Sequence, residues 1–501
     1  MSGVRCYNIS NVKRAGKITV RLLFSKQISG DKLMEKDNKN SVGKELSDKL
    51  SYVKKPLFES LDEDGVKKVF DYSEGYKQFL DASKTERDAV KTTIAIAQKH
   101  GFTEYKLGDK LSVGDKKYLN NRGKSLVLLK IGTEAALSEG VRIIASHIDS
   151  PRLDIKQNPL YEDEGMAFLK THYYGGIKKY QWTAIPLALH GVVSTSSGRN
   201  VSVVVGENDD DPIFYVNDLL PHLSKEQNVK PLATAIDGET LNVLVGGLPF
   251  KDDEVKEKIK LTVLKKLNES YGMVESDFLS AELCAVPAMK AKDVGFDRSM
   301  IAGYGHDDKV CSYPAISAIT EMTGDKTVMV VLADKEEIGS EGNTGMQCAI
   351  YEDVLSEIAD AFGKKASYIR ANAKCLSADV IACYDPNFGS VYEKKNSGLL
   401  GYGTAICKFT GAGGKSGSND ASAEFAGELR RLLDANDVNW QVAELGKVDA
   451  GGGGTVAKYI AKLNVDTIDI GVPVISMHAP YELVSKADLY STYKAFEAFV
   501  K

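Results

Sequence analysis

The stretch Val141-Arg-Ile-Ile-Ala-Ser-His147-Ile-Asp149-Ser-Pro151 joins a short apolar run to a histidine and an aspartate two residues apart. An apolar run of this length reads as a buried strand with the histidine at its carboxyl end. Residues i and i+2 of an extended chain point to the same side. Asp149 can therefore accept the second imidazole N–H of a ligating His147 and fix its tautomer. Three further apolar runs adjoin acidic or histidine residues. Thr327 to Ala333 runs into Asp334-Lys-Glu336-Glu337-Ile-Gly339-Ser340; Ser377-Ala-Asp379 abuts Val380-Ile381; and Val472 to Met477 leads into His478-Ala-Pro480. In open α/β sheets ligands bind beyond the carboxyl ends of the strands, so these distant side chains are expected to converge.

Working outward, residues 125–130 and 468–475 also read as short buried strands. Helical patterning covers most of residues 42–100 and recurs at 312–323, 353–362, 421–433 and 484–500, which gives an α/β layer fold. A chain of 501 residues exceeds one ordinary hydrophobic core, so at least two domains are expected. The texture changes over residues 156–300, where β-rich runs at 192–194 and 201–205 are followed by the acidic turn Asn208-Asp-Asp-Asp-Pro212 and a highly charged segment at 251–266. These residues form the expected inserted β-rich domain, dividing the α/β domain into residues 34–155 and 301–501.

The first 33 residues stand apart. Arg5, Lys13, Arg14, Lys17, Arg21 and Lys26 all precede the first acid, Asp31, as in a transit peptide. Two readings stay open: an extension ahead of a folded protein that starts at Met34, or an ordered N-terminal arm.

The loop Gly305-His306-Asp307-Asp308-Lys309 precedes the amphipathic residues 310–319. With the strand-end residues it completes a set of imidazoles and carboxylates suited to Zn²⁺, Co²⁺ or Mn²⁺. Two such ions about 3.5 to 4 Å apart share a bridging carboxylate, and each then needs roughly two further ligands. The pair Glu336-Glu337 is expected on an extended backbone, one carboxylate binding metal and the other facing substrate as a base. Such a base takes a proton from attacking water and returns it to the leaving amine. Taken singly these signals are weak: a lone histidine after a strand is usually structural, a Glu-Glu pair is usually solvated, and an Asp-Asp loop is commonly a helix cap.

As an ordered set the motifs resemble the aspartyl aminopeptidase group of the M18 metallo-aminopeptidases. The resemblance runs from about Val42 through Ser146-His147-Ile-Asp149-Ser-Pro151, Glu282-Leu283, His306-Asp307-Asp308, Asp334-Lys-Glu336-Glu337-Ile-Gly339-Ser340, Ser377-Ala-Asp379, Asp469-Ile-Gly471-Val-Pro473 and Met477-His478. It implies a mixed-sheet zinc-peptidase domain of the phosphorylase/hydrolase type interrupted by a β-rich oligomerisation domain. It implies two divalent metal ions, with His147, Asp307 and Asp379 on one and Glu337 and His478 on the other. Asp307 would bridge, Glu336 would be the general base and Asp149 would support the ligands. A homo-oligomer is implied too, a dodecameric closed particle in the cytoplasm that admits peptides.

By the same resemblance His172 is placed in a neighbouring subunit's site, and Lys408 matches a family lysine associated with substrate. Departures are also visible: Asp385 replaces a histidine, Gly451-Gly-Gly-Gly454 stands where many members have Cys-Gly, and Tyr481 stands where many have arginine. Asp385 would repel an acidic substrate side chain, so a neutral or basic N-terminal residue competes with an acidic one.

Other function classes fare worse. A net charge of -5 provides no surplus of Lys and Arg for phosphate backbones, which argues against nucleic acid. No run of about 18 uncharged apolar residues is present to span a membrane. The seven cysteines contain no CxxC pair and fit reduced thiols in a cytosol. In Gly411-Ala-Gly-Gly-Lys415-Ser416 a phosphate-binding loop would need glycine at position 409, which is Phe409. Two alternatives remain: a metal-dependent amidohydrolase or deacylase on the same scaffold, and a non-catalytic metal-stabilised scaffold protein.

Overall fold

The computed structural model describes residues 41–501; the expectation for residues 1–33 lies outside them. The helix Val42–Leu50, capped by the Ser41 side chain, belongs with residues up to Val53 to a unit separate from Lys54–Lys501.

The larger unit is built on a nine-stranded mixed sheet. Its four adjacent middle strands, Val328–Ala333, Arg142–His147, Lys374–Ala378 and Asp466–Gly471, run parallel. Ser125–Lys130 and Thr404–Cys407 flank them antiparallel. Residues along these strands alternate between two cores. Leu126, Leu128, Ile144, Val330, Leu332 and Leu376 join one, packed with helices that include His306–Glu321, Ala423–Ala435 and Lys486–Val500. Val127, Leu129, Ile143, Met329, Val331 and Cys375 join the other, with Ile350–Ala361 and Ala366–Asn372. A sheet covered on both faces demands apolar residues at every position, and this is why Val-Met-Val-Val-Leu-Ala is buried without interruption. The α/β fold class expected from the sequence is the one observed.

A second, seven-stranded antiparallel sheet is drawn from residues between Arg152 and Pro287. It has its own core around Trp182, Leu187, Phe278 and Val286. The charged segment at 251–266 runs into a helix, Lys258–Tyr271, which Gly272 terminates with a left-handed φ of 68°.

A third sheet of five short strands joins Lys292–Val294, Met300–Gly303, Glu482–Ser485, Pro473–Ile475 and Ile381–Ala382. Here the structure differs from the sequence expectation of one strand over 468–475. The chain leaves the large sheet at Gly471 and enters the small one at Pro473. A Cβ on Gly471 would lie 1.8 Å from the Asp379 carbonyl, and proline has no N–H to continue a ladder. The helix expected over 484–500 likewise starts later, at Lys486 behind the Ser485 cap, because Glu482–Ser485 is a strand.

Candidate metal centre

The parallel register brings three chain ends level: Ala333 pairs with His147, and Ser377 with Ala145, which puts Asp379 beside His147. Asp307 reaches the same point from the non-helical start of His306–Glu321, just after the strand Met300–Gly303, and His478 from the loop before Glu482–Ser485. His147 Nε2 lies 3.0 Å from Asp307 Oδ1, 3.8 Å from Asp379 Oδ1 and 4.0 Å from Glu336 Oε2. His478 Nε2 lies 3.3 Å from Asp307 Oδ2 and 3.5 Å from Glu337 Oε2. Asp307 thus presents one carboxylate oxygen to each imidazole.

Beneath this cluster Asp149 is fully buried. Its backbone carbonyl accepts from His147 Nδ1 at 3.1 Å, and its Oδ1 accepts from the Glu336 backbone N–H at 3.1 Å. Its Oδ2 accepts from Glu337 N–H at 3.2 Å and from the Tyr174 hydroxyl at 2.8 Å. One residue therefore orients the imidazole with its carbonyl and ties down the turn that carries both glutamates with its carboxylate. That turn is a 3₁₀ segment, Glu336–Ile338, entered through Lys335 at φ 67°, and not the extended chain expected from the sequence. Because Asp149 gathers both amide donors, the backbone curls around it and sends the two carboxylates to different partners.

Glu482 accepts from two backbone amides at once, His478 N–H at 2.7 Å and Asp307 N–H at 3.1 Å. His478 also donates from Nδ1 to the Gly176 carbonyl at 2.8 Å, which ties the seven-stranded sheet to the centre. Sequence reasoning missed Glu482, Tyr174 and Gly176. The stretches Tyr173-Tyr-Gly-Gly176 and His478-Ala-Pro-Tyr-Glu482 carried the available signal.

Crowded, buried carboxyls lose their ordinary acidity. Burial pushes Glu336 up to about 8, with Asp379, Asp149 and Asp307 adding and His147 opposing. Glu337 and Asp379 are raised for the same reason. Burial works against Asp307 too, but His147 and His478 hold it well below the usual range. Burial would lower His478, yet Asp307 and Glu337 carry it up to about 10.

The donor atoms of His147, Asp307 and Glu337 lie within 4.8 Å of one another, as do those of His147, Asp308 and Asp379. Asp307 Oδ1, Asp308 Oδ1 and Glu337 Oε1 are buried with no hydrogen-bond partner. Unsatisfied buried carboxylate oxygens are costly unless a cation meets them, so the residues fit divalent metal.

The centre opens on a cavity of about 400 Å³, also lined by Val380, Ile381, Leu445, Met477, Thr455 and the glycines 452–454. Glu336, Glu337, Asp307, Asp379 and His478 face it. His172, Lys408 and Asp385 do not line it. His172 is exposed on the seven-stranded sheet, its Nδ1 2.9 Å from the Tyr173 carbonyl, and borders a different cavity. Lys408 Nζ donates to Asp420 Oδ1 at 2.9 Å, and Asp385 caps the turn Pro386–Val391 by accepting from Asn387 N–H at 2.8 Å.

Comparison with known proteins places this geometry. The family described as aminopeptidase I zinc metalloprotease (M18) matches residues 79–500, which include every residue of the centre. A probable M18 family aminopeptidase 1 of Clostridium acetobutylicum is 49% identical over 458 residues, 89% of this chain and 98% of that protein. The Thermotoga maritima protein of the same description is 43% identical over 437 residues, 86% of this chain and 95% of the other. The crystal structure of a Thermotoga maritima M18 aminopeptidase superposes with a TM-score of 0.86 at 41% identity, covering 90% of this chain and 100% of that one. A structure titled as the mApe1 dodecamer of S. cerevisiae shares the fold, with a TM-score of 0.70 at 21% identity over 86% of this chain and 96% of that one. Among the described residues no helix is long and apolar enough to cross a membrane. The chain belongs to the M18 family of zinc metalloproteases and is a metallo-aminopeptidase.

Proposed function

We propose that the chain removes N-terminal residues from peptides with two divalent ions held side by side. His147, Asp307 and Asp379 would hold one, and Asp307, Glu337 and His478 the other. The observation that carries this reading is the single Asp307 carboxylate with one oxygen at each imidazole. Bound zinc would supply Lewis acidity to the peptide carbonyl and make water more acidic. Glu336 is the general base: its carboxylate faces the cavity, spare of any ligand role, and takes a proton from water before giving it to the leaving amine. Asp149 keeps His147 and the Glu336 turn in place through its four contacts.

The cavity walls favour a neutral N-terminal side chain. They include Val380, Ile381, Leu445 and Met477, and the lining contains no lysine or arginine to pair with an acid. In a panel of amino-acid amides with zinc-loaded protein, leucine and methionine amides should exceed aspartate amide in kcat/KM by at least about tenfold. N-acetylated peptides should be left intact. Preferred cleavage of the aspartate amide would overturn the side-chain reading, and cleavage of the acetylated peptide the aminopeptidase mechanism.

The domain of the seven-stranded sheet, drawn from residues between Arg152 and Pro287, is proposed as the oligomerisation domain, working in a homo-oligomer as in the yeast dodecamer. Exposed Ile213, Leu220, Leu223 and Val229 support that role. The free cysteines among the described residues are consistent with a reducing cytoplasm.

A further inference from the structure

Glu482 is fully buried, touches no imidazole and sits where two loops of the centre part company. It is the first residue of the strand Glu482–Ser485, whose ladder sets it opposite Gly303, the last residue of Met300–Gly303. Asp307 lies four residues after Gly303, and His478 four residues before Glu482. Both loops therefore leave the same end of one antiparallel pair. The Glu482 carboxylate closes them, Oε2 on Asp307 N–H and Oε1 on His478 N–H. The bridge meets a left-handed backbone at its far end, since His478 adopts φ 64°.

We propose that Glu482 is a positioning residue chiefly for the metal position that His478 completes, fixing the spacing between Asp307 and His478 and reaching the His147–Asp379 side only through the shared Asp307 carboxylate. The role rests on the two-ion reading above. Nothing else in the centre spans these two backbones: the other contacts of His478 go to Gly176 and to side chains. The partition follows from topology, since His147 and Asp379 are held by the ladders of the large sheet and Asp149.

The test is zinc titration of chelated, full-length protein by calorimetry with metal analysis, for wild type, Glu482→Gln and Glu482→Asp. Glutamine keeps the length but offers only one acceptor oxygen; aspartate keeps the charge but is one methylene short. Either variant should weaken the site that His478 completes by at least about tenfold and the other site severalfold less, with kcat falling and KM little changed. Asp488→Asn is the control. Asp488 is another buried carboxylate bridging two amides, Gly401 N–H at 2.8 Å and Gly403 N–H at 2.7 Å, neither of which belongs to a residue of the centre. Its loss should lower the melting temperature and leave both zinc affinities unchanged. Equal weakening of both sites in the Glu482 variants, or two unchanged sites, would overturn the proposal. A wild type that binds a single zinc would overturn the two-ion reading beneath it.

Discussion

The two halves of the proposed metal centre are built by different means. His147 and Asp379 stand at the ends of adjacent parallel strands and are 1% and 7% exposed. Ladder pairing and the packed cores on both faces of the sheet over-determine their positions. His478 stands on a loop, its side chain 32% exposed, with a left-handed backbone and hydrogen bonds to Glu482 and Gly176. The first half is rigid because the fold is rigid. The second is rigid only through a few polar contacts, which makes it the place where substitutions can alter chemistry without unfolding the protein.

The largest effect should come where neither half is touched. Glu336→Gln should lower kcat by about 10² to 10⁴-fold with metal content unchanged, measured by steady-state kinetics beside metal analysis. Metal loss equal to that of His478→Ala would break the separation of base from ligands. Next, stepwise chelation should release one ion before the other, and His478→Ala should remove the weaker step while His147→Ala removes the tighter. Free zinc at 100 times its dissociation constant should add about 2.7 kcal/mol of stability per intact site, read from denaturant midpoints. A single concerted release in wild type would erase the contrast.

The smallest effects sharpen the comparison at the loop. Gly175 has φ 76°, and a Cβ there would meet Glu337 Oε2 at 3.2 Å; at Gly176 the φ is ordinary and the nearest atom, His478 Nδ1, is 3.4 Å away. Gly175→Ala should cost about 1 kcal/mol of stability and roughly tenfold in kcat/KM, and Gly176→Ala less than about twofold. Equal effects would mean that this edge of the centre adapts freely.

The strand-end logic was open to reading because it is local. An apolar run buried on both faces needs Val, Ile and Leu at every position, and a histidine or acid just past its end stands out. Hence the runs before His147, Glu336 and Asp379 could be recognised from residue types alone. The i, i+2 spacing brought Asp149 to the imidazole but not the expected atom: the strand ends at His147, and the Asp149 backbone carbonyl accepts from Nδ1.

What eluded the sequence depends on partners that no local pattern specifies. The Glu336-Glu337 turn curls because Asp149 gathers its amides, and the strand after Asp466 breaks because Gly471 presses on the Asp379 carbonyl. Lys408, Asp385 and His172 look equally polar on paper, yet within one chain they face Asp420, Asn387 and Tyr173. Glu482 lies only four residues beyond His478, but its meaning comes from the ladder that sets it against Gly303. Sequence by itself determined the elements and the donor types, since burial and periodicity act over a few residues. Only tertiary structure decided which carboxylates share a cavity and which merely cap a turn, because hydrogen-bond partners hundreds of residues apart are chosen by packing.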